Sequence, residues 1–180
     1  MRPFYIGTIR FTSETFKENK KWREKNNWKG CIYGTSVPIA EHIEIDEKII
    51  IIEMNNSTNQ IEGIGYIMNH SRYDCAINMY KDRNYNRYIY RSNHRIDRKD
   101  IKLLKFLEDI LFKGRSNSKR WHGIRIMPTK IEKRMLVLPR NILKRRVLEE
   151  LKNGKPRKYI IHKYRAIQRE LLLFLNNCFG

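Results

Sequence analysis

The 180-residue chain lacks the features of secreted and membrane-spanning proteins. Its three cysteines, Cys31, Cys75 and Cys178, lie far apart and fit no zinc or redox spacing. No apolar run approaches the roughly 20 residues that a membrane span needs. The N-terminal residues contain no apolar signal segment followed by a cleavage site. We therefore expect an intracellular protein of the cytoplasm, the nucleus or a virus particle, without a membrane partner.

The common catalytic and cofactor-binding motifs are also missing. The sequence contains no Walker loop, no Ser/His/Asp order and no HExxH, and Gly63–Gly65 lacks the third glycine of a dinucleotide turn. On a strand over Glu41–Lys48, the side chains of His42, Glu44 and Asp46 would share one face and suggest a metal or nuclease site. A solvent-facing edge strand is the simpler interpretation. We predict no catalytic residue, no metal and no cofactor, with a nucleic-acid-processing enzyme as an alternative.

Acidic residues are scarce in the C-terminal part of the chain. Residues 1–70 carry nine basic and nine acidic side chains, residues 71–110 carry ten and six, and residues 111–180 carry nineteen and four. Most of the net charge of +19 therefore falls in the last of these segments. A concentration of positive charge on this scale predicts a polyanionic partner, most often nucleic acid, with an anionic membrane surface as the lesser alternative.

Basic and aromatic side chains are interleaved in the segment Arg115–Gly123 (RSNSKRWHG). Basic groups hold phosphates, while an aromatic ring such as Trp121 stacks on a base. Denser basic runs follow at Lys144–Arg146 and Lys155–Lys158, for which a solvated charged surface is the alternative interpretation. The predicted phosphate-binding residues are Arg115, Lys119, Arg120, Trp121, His122, Lys144, Arg145, Arg146, Lys155, Arg157 and Lys158.

Periodicity and turn residues predict an α+β fold in which a small mixed or antiparallel sheet curls into a barrel with flanking helices. The predicted strands are Pro3–Phe11, Gly30–Thr35, Ile43–Met54, Ile61–Met68, Ala76–Tyr80, Tyr85–Ile96 and Gly123–Met127. The predicted helices are Glu14–Lys25, Ile101–Lys113, Pro139–Lys152 and Arg157–Leu175, of which the last two form a basic C-terminal extension. Turn-forming residues at Asn55–Gln60 predict a hairpin. Gly63 and Gly65 predict a bulge, a bend or a close backbone approach.

Three stretches of the first half have a familiar order: FYIGTI (Phe4–Ile9), KGCIYGT (Lys29–Thr35) and IIIIEMNNSTNQIEGIGYIM (Ile49–Met68). They are similar to the first strand, the Gly-x-aromatic turn and the strand–turn–strand ending in Gly-x-Gly of the PUA-like superfamily, and within it the EVE/YTH branch is closest. The resemblance covers about residues 1–95. It implies a PUA-like domain at residues 1–114, with residues 115–180 as a basic loop, a short strand and a helical extension packed on it.

The resemblance implies a pocket for a modified base. In YTH relatives the aromatic residue of the Gly-x-aromatic turn forms one wall of a cage for a methylated adenine, and Tyr33 matches it. A ring stacked on a base contributes about 1–3 kcal/mol. The further cage tryptophans of YTH domains are absent, and the later strands offer Tyr80, Tyr85, Tyr88 and Tyr90. The predicted base-pocket residues are Tyr33, Trp28, Trp22, Tyr88 and Tyr90, and a core position is the alternative for Tyr33.

Charge and resemblance together predict a non-enzymatic nucleic-acid-binding protein. RNA is the preferred ligand because PUA-like relatives mostly bind RNA, and DNA stays open. The predicted mode is an aromatic pocket that reads a modified base, with phosphate contacts from the basic C-terminal part. The alternative is a basic structural protein that packs against acidic protein partners in an assembly, such as a large DNA virus particle or a ribonucleoprotein.

Overall fold

The structure is a computed structural model that describes residues 4–71, 77–101, 104–113, 122–129 and 131. Its strands are β1 (Tyr5–Phe11), β2 (Cys31–Thr35), β3 (Lys48–Asn55), β4 (Gln60–Met68), β5 (Tyr88–Ser92), β6 (Arg95–Asp97) and β7 (Ile124–Ile126). Its α-helices are α1 (Ser13–Lys25) and α2 (Leu104–Phe112), and two short 3-10 helices span Arg83–Asn86 and Arg98–Asp100. The chain divides into the units Met1–Met127 and Pro128–Gly180, and all these elements belong to the first.

The described strands form a five-stranded sheet of order β6-β4-β3-β1-β7 and a separate pair, β2-β5. In the larger sheet β1 and β3 are parallel, and the other pairs are antiparallel. The predicted α+β class and mixed sheet are therefore confirmed. The predicted barrel is wrong for the described residues, because the three-residue strands β6 and β7 end the large sheet while β2 and β5 pair only with each other.

The predicted hairpin is present as β3 and β4. Ile51 pairs with Gly65 and Ile49 with Ile67. Ile49 and Ile51 belong to the main core cluster, which also contains buried residues of β2 and β5. Ile50 and Ile52, on the other face, are buried as well. An isoleucine run with no polar alternation suits this position, because both faces of β3 are covered.

The strand predicted over Ile43–Met54 begins only at Lys48. The preceding residues form turns, with Ile43 buried and Ile45 76% exposed. Asp46 has a left-handed φ of 65°, which ends the extended conformation, and the Asn69 side chain donates hydrogen bonds to the carbonyl oxygens of residues 43 and 44. The predicted shared face of His42, Glu44 and Asp46 therefore does not exist.

The strand predicted over Tyr85–Ile96 is also divided. The Asp82 side chain accepts a hydrogen bond from the Asn84 N–H and begins a 3-10 helix, and the Asn86 side chain bonds the backbone of Met79 and Tyr80. Such local side-chain bonds compete with strand pairing. The remainder forms β5 and β6, which belong to different sheets, and residues 77–80 form no strand.

Helix α1 is defined by its two ends. Thr12 is the N-cap, and it forms a capping box with Thr15. The helix predicted over Ile101–Lys113 is present as α2, which buries Leu107 and Leu111, but Ile101 is extended. The helices predicted over residues 139–152 and 157–175 lie outside the described residues. No helix in the described part of the chain is long and apolar enough to cross a membrane.

Candidate functional site

A buried ion pair lies between the hairpin and β6. Glu53 shares a face of β3 with Ile49 and Ile51, so its carboxylate lies inside the protein. Arg95 donates from Nη2 to Oε2 of Glu53 at 2.7 Å and from Nε to Oε1 at 2.9 Å. The Tyr33 hydroxyl donates to the same Oε1 at 2.9 Å. The side chains of Arg95 and Glu53 are only 4% and 2% exposed. We call Tyr33, Glu53 and Arg95 the charge network.

Two glycines of β4 make space for the charge network. A Cβ on Gly65 would collide with the Tyr33 hydroxyl, and one on Gly63 would lie 2.7 Å from Oε2 of Glu53. Of the three predicted alternatives, a bulge, a bend or a close approach, the structure has close approaches at both glycines. The register between β3 and β4 shifts beside Gly63, which leaves Glu62 without a cross-strand partner.

Burial also sets the protonation of this region. It raises the pKa of Tyr33 well above its usual value, so the hydroxyl keeps the proton that it donates to Glu53. It raises the pKa of the neighbouring Cys31 thiol to about 12. Burial alone would lower the pKa of Arg95, but the charge and hydrogen bonds of Glu53 outweigh it and raise that pKa. The arrangement is closed to solvent and indicates a structural role.

The structure places most of the predicted base-pocket residues in or against the core. Tyr33 is fully buried, and Tyr90 is 2% exposed with its hydroxyl accepting a hydrogen bond from the Ile39 N–H. Neither ring presents a face to solvent. Tyr33 therefore has the core position that was the alternative to a pocket wall. Trp22 and Tyr88 are half-buried against the core and line neither of the two openings described below.

The first opening is a cavity of about 210 Å³ near the beginning of α1. Two tyrosines on its wall, Tyr80 and Tyr85, meet edge to face with ring centroids 6.0 Å apart. Tyr80 is buried, whereas Tyr85 is 40% exposed. We call this opening the aromatic cavity, and its lining residues are Ile9, Arg10, Phe11, Thr12, Thr15, Gly34, Thr35, Asn56, Tyr80, Tyr85, His122 and Gly123.

Hydrogen bonds and a glycine hold the tyrosine wall in place. Asn19 of α1 donates to the Tyr80 hydroxyl at 3.4 Å and to the Ile32 carbonyl at 2.7 Å. Burial raises the pKa of Tyr80, which keeps its hydroxyl protonated. A Cβ on Gly34 would collide with the Tyr85 carbonyl and lie 3.0 Å from the Tyr80 ring. Glycine at this position of β2 is therefore part of the cavity.

The second opening is a groove of about 380 Å³ along the later turns of α1. Five basic and three acidic side chains line it, together with Trp28, one of the predicted base-pocket residues. We call this opening the basic groove, and its lining residues are Phe16, Lys20, Arg23, Glu24, Asn27, Trp28, Lys29, Glu62, Arg95, Asp97 and Arg98.

The end of α1 brings Trp28 back to the helix. Asn27 has a left-handed φ of 53°, and its N–H donates to the Glu24 carbonyl at 3.2 Å, while the Trp28 N–H donates to the Arg23 carbonyl at 2.8 Å. This pair of bonds is a Schellman motif. The indole Nε1 then donates to the Cys31 carbonyl at 3.1 Å.

Only one predicted phosphate-binding residue lies in the described part of the chain. His122 is exposed and lines the aromatic cavity. The remaining predictions lie outside the described residues and stay predictions: Arg115, Lys119, Arg120, Trp121, Lys144, Arg145, Arg146, Lys155, Arg157 and Lys158. In the described ranges no group of three or more His, Cys, Asp or Glu side chains is placed to hold a metal ion.

Sequence reasoning missed Arg23 and Lys29 as site residues. The balanced charge of residues 1–70 hid them, because acidic side chains elsewhere in that segment cancel their charge in the sum. A local signal was present in Asn27, which is a residue type that ends helices in the left-handed conformation. Comparison of the chain with models of protein families and with curated proteins finds no match.

Proposed function

We propose that the chain binds single-stranded nucleic acid, with RNA preferred, and that the aromatic cavity accepts one base. The observation that carries the proposal is the partly exposed Tyr85, held edge to face against Tyr80 in a cavity that His122 also lines. At about 210 Å³ the cavity is smaller than the roughly 300–1,000 Å³ of pockets for drug-sized ligands, which favours a group the size of one base.

The chemistry of the cavity suits a base better than a charged or fully apolar ligand. Aromatic side chains provide stacking for any base, and contact with a base adds about 1–3 kcal/mol. Threonine side chains from α1 and β2 line the same cavity and are hydrogen-bonding groups. We infer that Tyr85 takes the stacking role that the resemblance assigned to Tyr33, and that a methylated adenine is the modified base to test.

The preference for RNA rests on a PUA-like assignment of residues 1–114, which we propose on the resemblance and the observed α+β order. The charge of residues 111–180 supports a second part of the proposal, in which the predicted basic residues of that segment hold phosphates. An intracellular location follows if the ligand is RNA. The proposal contains no catalytic step.

The test compares Tyr85→Ala with Tyr66→Ala, which truncates a half-buried tyrosine that does not line the aromatic cavity. We expect Tyr85→Ala to weaken binding of a fluorescein-labelled single-stranded RNA by about 1–3 kcal/mol, the stacking contribution. Tyr66→Ala should leave the affinity unchanged. Fluorescence anisotropy measures both, and thermal unfolding checks that each variant is folded.

Three outcomes would contradict the proposal in part or as a whole. Equal affinities of Tyr85→Ala and the unaltered protein would remove the aromatic cavity from binding. Equal affinities for RNA with and without N6-methyladenine would remove the modified-base reading and leave general binding. Absence of binding to RNA and DNA, with capture of an acidic protein partner, would favour the assembly protein.

A further inference from the structure

Arg23 carries a positive charge that forms no ion pair among the described residues. It is half-buried and lines the basic groove. The only hydrogen bond of its side chain within the described ranges runs from Nε to Oδ1 of Asn19, a neutral amide, at 3.0 Å. Burial and the nearby charge of Arg95 lower the pKa of Arg23, while the charges of Glu53 and Asp97 act in the opposite direction. Charges withdrawn from water are normally paired, and in the described ranges no carboxylate forms an ion pair with Arg23.

The acidic side chains of the basic groove have other partners. Glu24 pairs with Lys20 at 3.8 Å, and Oδ2 of Asp97 accepts from Arg95 at 3.0 Å. Oε1 of Glu62 accepts from Nδ2 of an asparagine of β3 at 2.8 Å. None of these carboxylates forms an ion pair with Arg23 in the described part of the chain.

Lys29 adds a second cation without an ion pair among the described residues. The Schellman motif places it directly after Trp28, and it is exposed at the edge of the groove. Trp28 carries the Arg91 guanidinium 5.2 Å from its ring centroid, which adds positive charge beside this turn. Two cations without an ion pair in the described part of the chain thus line one groove of about 380 Å³.

We propose that the basic groove is a phosphate site, in which Arg23 and Lys29 bind one phosphate group of a nucleic-acid backbone. A planar guanidinium binds two phosphate oxygens at once, and lysine adds a point charge. The inference rests on the proposed function. Helix α1 has 13 residues, about 20 Å at 1.5 Å per residue, and borders the aromatic cavity at its start and the basic groove in its later turns. A nucleic-acid strand that runs along α1 would contact both the aromatic cavity and the basic groove.

The test uses Arg23→Gln on the full chain, with a 12-nucleotide fluorescein-labelled single-stranded RNA as the probe. We expect roughly tenfold weaker binding, the size of a lost charge-assisted hydrogen bond. The slope of log K against log salt should flatten by about 0.7, which is one phosphate contact on a single strand. The control is Lys21→Gln, which removes the same charge from an exposed position of α1 outside the groove. It should change affinity less than Arg23→Gln does.

A second variant keeps the groove testable if Arg23→Gln does not fold. Lys29 is exposed, so Lys29→Gln preserves the fold and should also weaken binding and flatten the slope. Arg23→Lys keeps the charge without the planar fork, and should fall between Arg23→Gln and the unaltered protein. Equal effects of Lys21→Gln and both groove variants would overturn the site, because only overall charge would then matter.

A further arm separates the sources of the phosphate. AMP and inorganic phosphate are titrated while the indole N–H signal of Trp28 is followed by NMR. In one outcome AMP saturates the signal, Arg23→Gln abolishes this saturation, and Arg23→Gln leaves RNA binding unchanged. That outcome would assign a free nucleotide to the groove and overturn the backbone assignment. RNA binding that responds to Tyr85→Ala but to neither groove variant would overturn the groove and leave the proposed function. Absence of any RNA binding would overturn both.

Discussion

The charge network adjoins the basic groove, and Arg95 of the network and Arg23 of the groove have opposite surroundings. The Arg95 side chain is almost inaccessible to solvent and forms ion pairs with Glu53 and Asp97. Arg23 is half-buried and contacts a neutral amide, and the like charge of Arg95 repels it. The same residue type is therefore ion-paired in one position and, among the described residues, has no ion pair in the other. The difference teaches that pairing, rather than the count of basic residues, distinguishes a structural arginine from a candidate for binding.

The largest expected effect comes from breaking the charge network. Arg95→Met leaves the Glu53 carboxylate buried without its partner, which should lower the free energy of unfolding by about 3–5 kcal/mol. Urea denaturation measures this. Arg23→Gln, in the groove, should cost far less. The comparison between the two regions would fail if both variants lost the same stability.

A double variant makes that prediction sharper. Glu53→Met combined with Arg95→Met removes both charges, and apolar replacements of a buried pair are often neutral. We expect the double variant to be more stable than Arg95→Met alone. If the double variant is less stable than Arg95→Met, the lone Glu53 carboxylate is stabilised by the hydrogen bond that remains from Tyr33, which would contradict the expected cost of an unpaired buried charge.

The smallest expected effect concerns Asp97, which lines the groove and bonds Arg95. Burial alone would raise the pKa of Asp97, but the hydrogen bond and charge of Arg95 hold it below its usual value. The unfolded chain therefore binds the proton more readily, so the contribution is present above about pH 4 and is lost as the pH falls through the lower, folded pKa.

Asp97→Asn removes this dependence. The side chain is 55% exposed, and an exposed pair contributes little, so the loss of stability at pH 7 should be under about 1 kcal/mol. Urea midpoints between pH 3 and 7 should fall less steeply with acid in the variant than in the unaltered protein. Parallel curves would show that Asp97 is not coupled to Arg95.

Local features of the fold could be predicted from the sequence because their causes are local. The isoleucines of β3 and the turn formers Asn55–Gln60 specify the hairpin by themselves. Gly63 and Gly65 indicated a bulge, a bend or a close approach, since glycine within a strand is unfavourable without such a reason. Helix α1 was predicted over Glu14–Lys25 and begins one residue earlier, at Ser13.

The charge network could not be predicted, because Glu53 and Arg95 are 42 positions apart and meet only when β6 pairs with β4. The same dependence on distant pairing explains Tyr33, whose ring is buried because its hydroxyl reaches Glu53 from another strand. The turn at Asp46 and the division of residues 85–96 arise from side-chain bonds to the backbone, which hydrophobic alternation does not reveal.

Nucleic-acid binding, the central claim, is tested most directly by the salt dependence of the full chain on single-stranded RNA. Each phosphate contact should contribute about -0.7 to the slope of log K against log salt, so two or more contacts predict a slope of about -1.4 or steeper. A slope in this range, at affinities that anisotropy can follow, is the result the account predicts. A slope near zero, or no binding at low salt, would contradict it.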